Sequence, residues 1–484
     1  MSAVYDPAAS TITGVAPVSG ATTLNTETLA RALAATPGAN AWEVEVLSDE
    51  QAQLYVIGDA VESRRTVVNR SSHATIFNLH APHASGAEGQ NGAQPASQAM
   101  GRAELSLLAE DAANPDRLTA RLADGVTMAS LTDNPPYTLP KPSEYAFPMP
   151  PLVDPVLQRD AAGALDRARV QLEVAVAAQP NVSLSSAEFF ATRRERSFRN
   201  SQGVRGSYQE TEVFLDLVLI ASDRGNSAEM HAELKRRRLE DLQIAGTVAA
   251  YATFARHSLY ATTPSTARGP VILSGEALAN FFSPLAFSSG NPILTQTSAQ
   301  AAYQHLSRFS VGDFITGDEP RGDRLNLSSD PLRPYGVRSY RFDADGLPAT
   351  EVALIENGVL RRQWADARYA AYLGVTPTGQ TGNLAVGRGS ASLDALRALD
   401  GAPVYEIVSF SAFGPDPVTG DFTAEIRLGY QHDATGVRPI KGGSLTGNIF
   451  TALQDVRFSA NAYTDGVYYG PAAARFGDLS VAGS

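Results

Sequence analysis

The chain has 484 residues, 43% hydrophobic, 19% charged and 8% aromatic, a globular composition long enough for two or three domains. It has no cysteine, which excludes disulfides, thiolate metal ligands and a cysteine nucleophile and fits a reducing compartment. A formal net charge of -12 argues against a nucleic-acid partner, because the backbone phosphates would be repelled.

Residues 1–25, rich in Ala, Ser, Thr and Gly, read as a flexible arm. They lack the basic-then-apolar order of a secretory leader. No apolar run reaches the roughly 18 residues of a membrane helix, so a cytoplasmic location without a membrane partner is expected. Residues 26–134 read as a small N-terminal α/β domain. Its helix Glu27–Ala34 puts Leu29 and Leu33 on one face, and alternating strands follow at Trp42–Val46, Gln53–Ile57 and Arg65–Leu79. A polar loop from Ala84 to Gln98 and a helix carrying Leu118, Leu122 and Val126 complete it. Residues 135–153 form a Pro-rich linker.

The middle region, 154–265, opens with a helix over Asp154–Ala177 and turns to strands through Phe189 and Phe190 to Val213–Ile220. A long helix is predicted over Asn226–His257, since Asn226 followed by Glu229 has the spacing of a capping box. On that helix the basic run Lys235–Arg238 is expected to be a solvated face paired with Glu229, Glu233 and Glu240. From 266 to 484 strand signals and Gly/Pro/Asp turns dominate. Examples are Val352–Leu360, with an Asn357-Gly358 hairpin turn, and Phe422–Tyr430. The fold class is therefore α+β: a small N-terminal α/β domain followed by a larger β-rich, barrel-like C-terminal domain.

Ordinary motifs offer little chemistry. His80 and His83 form an H-x-x-H pair beside Pro82, with no carboxylate or cysteine nearby to complete a metal site. His73, His231, His257, His305 and His432 are scattered and read as surface or capping residues. Lys441-Gly-Gly-Ser444 lacks the leading glycine of a phosphate loop, and Arg321-Gly-Asp323 is a chance match. Asp313, Asp318, Glu319 and Asp323 read as solvated turn acids, with a weak cation or substrate-amine contact as the alternative.

Six segments, in order, carry a resemblance. They are Asn200-Ser-Gln-Gly203, Arg341-Phe-Asp-Ala-Asp-Gly346, Ile355-Glu-Asn-Gly-Val-Leu360, Thr376-Pro-Thr-Gly379, Gly420-Asp-Phe422, and Pro439-Ile-Lys-Gly-Gly-Ser-Leu-Thr-Gly-Asn448. Together they resemble the TldD/PmbA family of paired peptidase subunits. In the family's catalytic subunit, a His-Glu-x-x-x-His segment after a short strand and a cysteine near the C-terminus hold a zinc-type ion. The glutamate then acts as base on the metal-bound water. The matching stretch here is Val271–Asn280: Gly275 and Asn280 fall where the histidines belong, and Glu276 is retained. The cysteine position falls near Asp465–Gly470, where Tyr468 and Tyr469 stand.

No metal is therefore expected in this chain. The resemblance implies a non-catalytic subunit of the TldE/PmbA type, with zinc in a TldD-like partner and peptide as the substrate of the heterodimer. Glu276, Gly442, Gly443 and Tyr469 are the substrate-proximal candidates, although Glu276 also reads as a helix-start acid and the two glycines as tight turns. A complex repurposed for natural-product maturation and a non-enzymatic scaffold are the alternatives.

Overall fold

The structure is a computed structural model that describes residues 25–83, 98–142, 147–283, 290–317 and 319–483. Apart from Asn25 and Gln98, the expected arm and the 84–98 loop lie outside the described residues, as does Asp318. The chain divides into two compact units. One comprises Met1–Val46 with Ser71–Asn134, the other Leu47–Arg70 with Pro135–Ser484. No helix among the described residues is long and apolar enough to cross a membrane.

In the first unit, Asn25 caps the helix Thr26–Ala34 by accepting from the Thr28 amide at 2.9 Å. Asn114 caps the helix Pro115–Ala129, whose proline occupies the first turn, where a missing N–H costs nothing. Leu29, Leu33, Leu118 and Leu122 from these helices bury against Trp42, Val44, Ile76 and Leu105 of the strands. The strand Ala99–Leu107 pairs antiparallel with Ser72–His80.

In the second unit the strands Val182–Asn200, Arg205–Asp223 and Asn226–Arg236 form an antiparallel sheet. Alternate residues of the middle strand, Val213, Leu215, Leu217 and Leu219, bury against helices Ala161–Ala177 and Ile244–Ser258. The expected helix over Asn226–His257 is thus half strand. Arg224 and Gly225, both at positive φ, make a tight hairpin turn, and Asn226 begins the return strand instead of capping a helix. Helix starts only at Ile244, after Gln243 at φ 43. The expected helix over Asp154–Ala177 is broken at Asp160, which caps the second piece through the Gly163 amide.

Beyond 266 lies a closed five-stranded barrel. Ala267–Ser274 pairs in parallel with Val404–Pro415 and antiparallel with Ala473–Ala482. Ser444–Asn448 joins the latter to Asp421–Asp433, which pairs back onto Val404–Pro415. The continuous apolar run Val271-Ile-Leu273 follows from burial on both faces. Val271 and Leu273 enter the main core, while Ile272 packs with Leu396, Val404 and Ala473. A second sheet includes the hairpin Val352–Leu360, whose turn is Asn357-Gly358 as expected, and ends on the strands Tyr468–Pro471 and Ala462–Asp465.

Candidate functional site

The strand Ala267–Ser274 ends beside the helix Glu276–Phe282, and Gly275 makes the corner between them. The strand's end is held by Ser274, whose hydroxyl donates to the buried Glu406 carboxylate at 2.8 Å. Gly275 sits at φ 55, ψ -122, a backbone conformation that glycine adopts and L side chains rarely do. A β-carbon there would lie 3.8 Å from the Tyr463 ring. The helix turns Glu276 toward Tyr251, whose hydroxyl donates to Oε2 at 2.9 Å.

Burial raises the Glu276 carboxyl to about 7, against the Tyr251 hydrogen bond, and the charge of Asp465 pushes the same way. Asp465 is itself raised by burial, which its ion pair with Arg236 at 3.0 Å only partly offsets. Burial likewise raises the Tyr251 and Tyr463 hydroxyls. The group is thus a carboxyl raised toward neutrality, a second acid raised by burial and two tyrosines that stay protonated.

Asn280, one turn further along, faces a cavity of about 440 Å³. Asp465, Gly466 and Tyr468 line it from the hairpin, and Glu210, Glu212, Glu233, Arg194 and Lys235 from the sheet. Most of these charges are paired: Lys235 with Glu212 at 3.0 Å, Arg194 with Asp49 at 2.8 Å in a two-pronged contact. Arg338, which also lines the cavity, makes no ion pair among the described residues.

The structure thus brings Glu276 and Asn280 together with the segment where the cysteine was sought, through Asp465 and Tyr463. It separates Gly442 and Gly443 from them. Gly442 and Gly443, both at φ +73, form the turn between strands Gly436–Ile440 and Ser444–Asn448, and a β-carbon on Gly443 would meet the Ala482 carbonyl oxygen at 2.3 Å. Neither lines the cavity. Tyr469 lies beneath the Arg333 guanidinium, 3.6 Å from its ring centre, on the strand that carries Tyr468.

Zinc does not fit the emptied motif. Glycine and asparagine replace imidazoles, and among the described residues no three histidine or acidic side chains converge there. The backbone at Gly275, at φ 55 and ψ -122, is also one that a histidine rarely adopts.

Three of the histidines read as surface or capping residues have side-chain partners. His231 pairs with Asp216 at 2.8 Å, His257 with the Tyr430 hydroxyl at 2.8 Å and His432 with Glu406 at 3.0 Å. His80 and His83 do have a carboxylate nearby, that of Asp133, brought from 50 residues along the chain by the pairing of strands. Within the basic run, Lys235 pairs with Glu212 and Arg236 with Asp465, across strands and not along a helix. Only the Arg238–Glu240 pair is as expected. Asp323 is a structural acid that accepts from the Phe458 amide at 2.7 Å.

Residues 266–483 match the PmbA/TldA metallopeptidase C-terminal domain. The chain is 27% identical to the metalloprotease PmbA of Escherichia coli O157:H7 over 235 residues, 47% of this chain and 48% of that protein. It is 26% identical to a zinc metalloprotease TldD homolog of Saccharolobus solfataricus over 216 residues, 41% of this chain and 45% of that one. It therefore spans about half the length of these curated relatives. Among solved structures, TldE from Thermococcus kodakarensis has the same fold, with a TM-score of 0.73 at 17% identity over 94% of this chain and 99% of that one.

Proposed function

We propose that this chain, which belongs to the TldD/PmbA family, is a cytoplasmic, non-catalytic subunit that pairs with a zinc-bearing partner to enclose a chamber for hydrolysis of unfolded peptides. The observation that carries the reading is the state of the motif. The strand, corner and helix are intact and Glu276 is kept, while Gly275 and Asn280 stand where imidazoles are needed. The zinc and the attacking water then belong to the partner.

The cavity beside Glu276 supports a role in holding substrate. Ala462–Asp465 is the edge strand of its sheet, and its Asp465 lines the cavity, so an extended peptide adding to that edge would run along it. Arg338 offers a cation for a peptide's carboxylate or carbonyl groups.

The test is co-production with a His-Glu-x-x-x-His subunit and assay on unfolded peptides. The pair is expected to cleave and to lose activity with chelator, while this chain alone does neither. Cleavage by this chain alone, or failure to associate with any such subunit, overturns the proposal.

A further inference from the structure

We infer that His80, His83 and Asp133 form a binding site for a single zinc-type divalent cation. The site stands apart from the emptied motif and independent of the proposed partner. The three side chains meet because the backbone places them. His80 ends its strand opposite Ala99, and the next residue, Met100, exchanges hydrogen bonds with Asn134 through the Met100 amide and the Asn134 side-chain amide. That fixes Asp133 beside His80. Pro82 stiffens the step to His83, whose backbone amide donates to Asp133 Oδ2 at 2.9 Å.

Both imidazoles then aim at one oxygen. His80 Nε2 lies 3.1 Å and His83 Nδ1 2.9 Å from Asp133 Oδ1. The other nitrogen of His80, Nδ1, faces the Asn78 carbonyl oxygen at 3.3 Å. A carbonyl only accepts, so Nδ1 carries the proton, and in the neutral ring Nε2 is a bare lone pair. A ring proton on Nε2, or a cation between the two atoms, would each satisfy that contact. A divalent cation placed there uses all three donors at once, whereas a ring proton serves a single pair.

The distances suit it. Zinc bonds of about 2.0–2.1 Å arranged tetrahedrally put neighbouring donors about 3.3 Å apart, and all three donor atoms here lie within 4.8 Å of one another. Two imidazoles and a carboxylate are a zinc donor set, and a backbone carbonyl on the far nitrogen is the usual device for orienting a ligating histidine. The fourth position opens to solvent, since the His83 side chain is 51% exposed.

The experiment is to strip the full chain with chelator and titrate it with zinc by calorimetry and with cobalt by visible absorption. The expected result is one ion per chain, tetrahedral cobalt bands and a higher melting temperature with zinc. His83→Ala and Asp133→Asn should each weaken binding by at least the roughly 10–100-fold that loss of an outer-shell partner costs. Glu276→Gln should bind as the parent does. Circular dichroism establishes that each variant is folded; His83 is exposed enough that its replacement leaves the core untouched. Absence of saturable uptake, or uptake unchanged in both His83→Ala and Asp133→Asn, overturns the assignment. Uptake lost only in Glu276→Gln overturns it too, and would count separately against the reading of an emptied motif.

Discussion

Glu276 is a largely buried carboxyl hydrogen-bonded to Tyr251, and its titration carries a stability signature. Its ordinary value is 4.5, and burial raises it to about 7 in the folded protein. Between those values the folded chain holds a proton that the unfolded chain has released. Stability therefore falls as pH rises through this window and stays lower above it. Glu276→Gln removes the titration while keeping an oxygen for Tyr251. The variant is expected to be more stable than the parent at pH 8, by on the order of 1–2 kcal/mol once the carboxyl's residual exposure is allowed for. Near pH 4 the two should converge. Denaturant unfolding at both values checks this, and a variant less stable at pH 8 would mean that the carboxylate has a stabilising partner. That Gly275 and Asn280 lack zinc-binding side chains was legible in the sequence because it depends only on residue type. Tyr251 was not, since the residue that faces Glu276 is set by how helix Ile244–Ser258 packs.

At the scale of elements, the strand Asn226–Arg236 shows why local pattern can mislead. Met230 and Leu234 are four apart and suit a helix face, yet with Ala232 they also make the buried row of a strand, and they are buried in that way. The hairpin turn Arg224-Gly225 decides between the two, and its partner strand Arg205–Asp223 supplies the hydrogen bonds. The basic run then acquires a job the helical reading could not give it. Arg237 is 5% exposed, and its guanidinium donates to the carbonyls of Gly336, Val337 and Ser339 and to Glu210, at 2.7 to 3.1 Å. It thereby pins the segment that carries Arg338 to the cavity wall. Arg237→Ala leaves Glu210 with only the longer Arg194 contact at 3.4 Å and takes the guanidinium from those carbonyls, for a cost of about 3–5 kcal/mol. Arg237→Lys should recover little, because a single ammonium cannot span the same fork. Thermal unfolding of both variants checks this; a lysine variant as stable as the parent would reduce Arg237 to a point charge.

At the scale of the whole chain, the β-rich C-terminal region was legible from turns and alternation, but the order in which its strands close was not. Ala267 pairs with Val481 and Leu273 with Ile407, and nothing local to either segment encodes its partner. What local sequence cannot name, a buried charge can help to hold. Glu406 lies on Val404–Pro415, the strand that pairs with both Ala267–Ser274 and Asp421–Asp433. It accepts from Ser274 on one side, is paired with His432 on the other, and is clasped by both prongs of Arg397 at 2.7 and 2.8 Å. Burial alone would raise its carboxyl, but the hydrogen bonds from His432, Arg397 and Ser274 overcome that and hold it at about 2, below its ordinary 4.5. A carboxyl depressed in the folded state contributes stability that is fully present above the unfolded value and is lost as pH falls through the folded one. Glu406's contribution to barrel stability should thus be level above about pH 5 and decline between 4.5 and 2, a loss of about 2–3 kcal/mol. Glu406→Gln, which cannot offer the charge, should start lower at pH 7 by a similar amount and show a shallower acid decline. Unfolding free energies measured from pH 7 to pH 3 distinguish the cases. Parallel curves for parent and variant would show that the barrel is closed by its strand pairing and core alone, with the ion cluster contributing nothing.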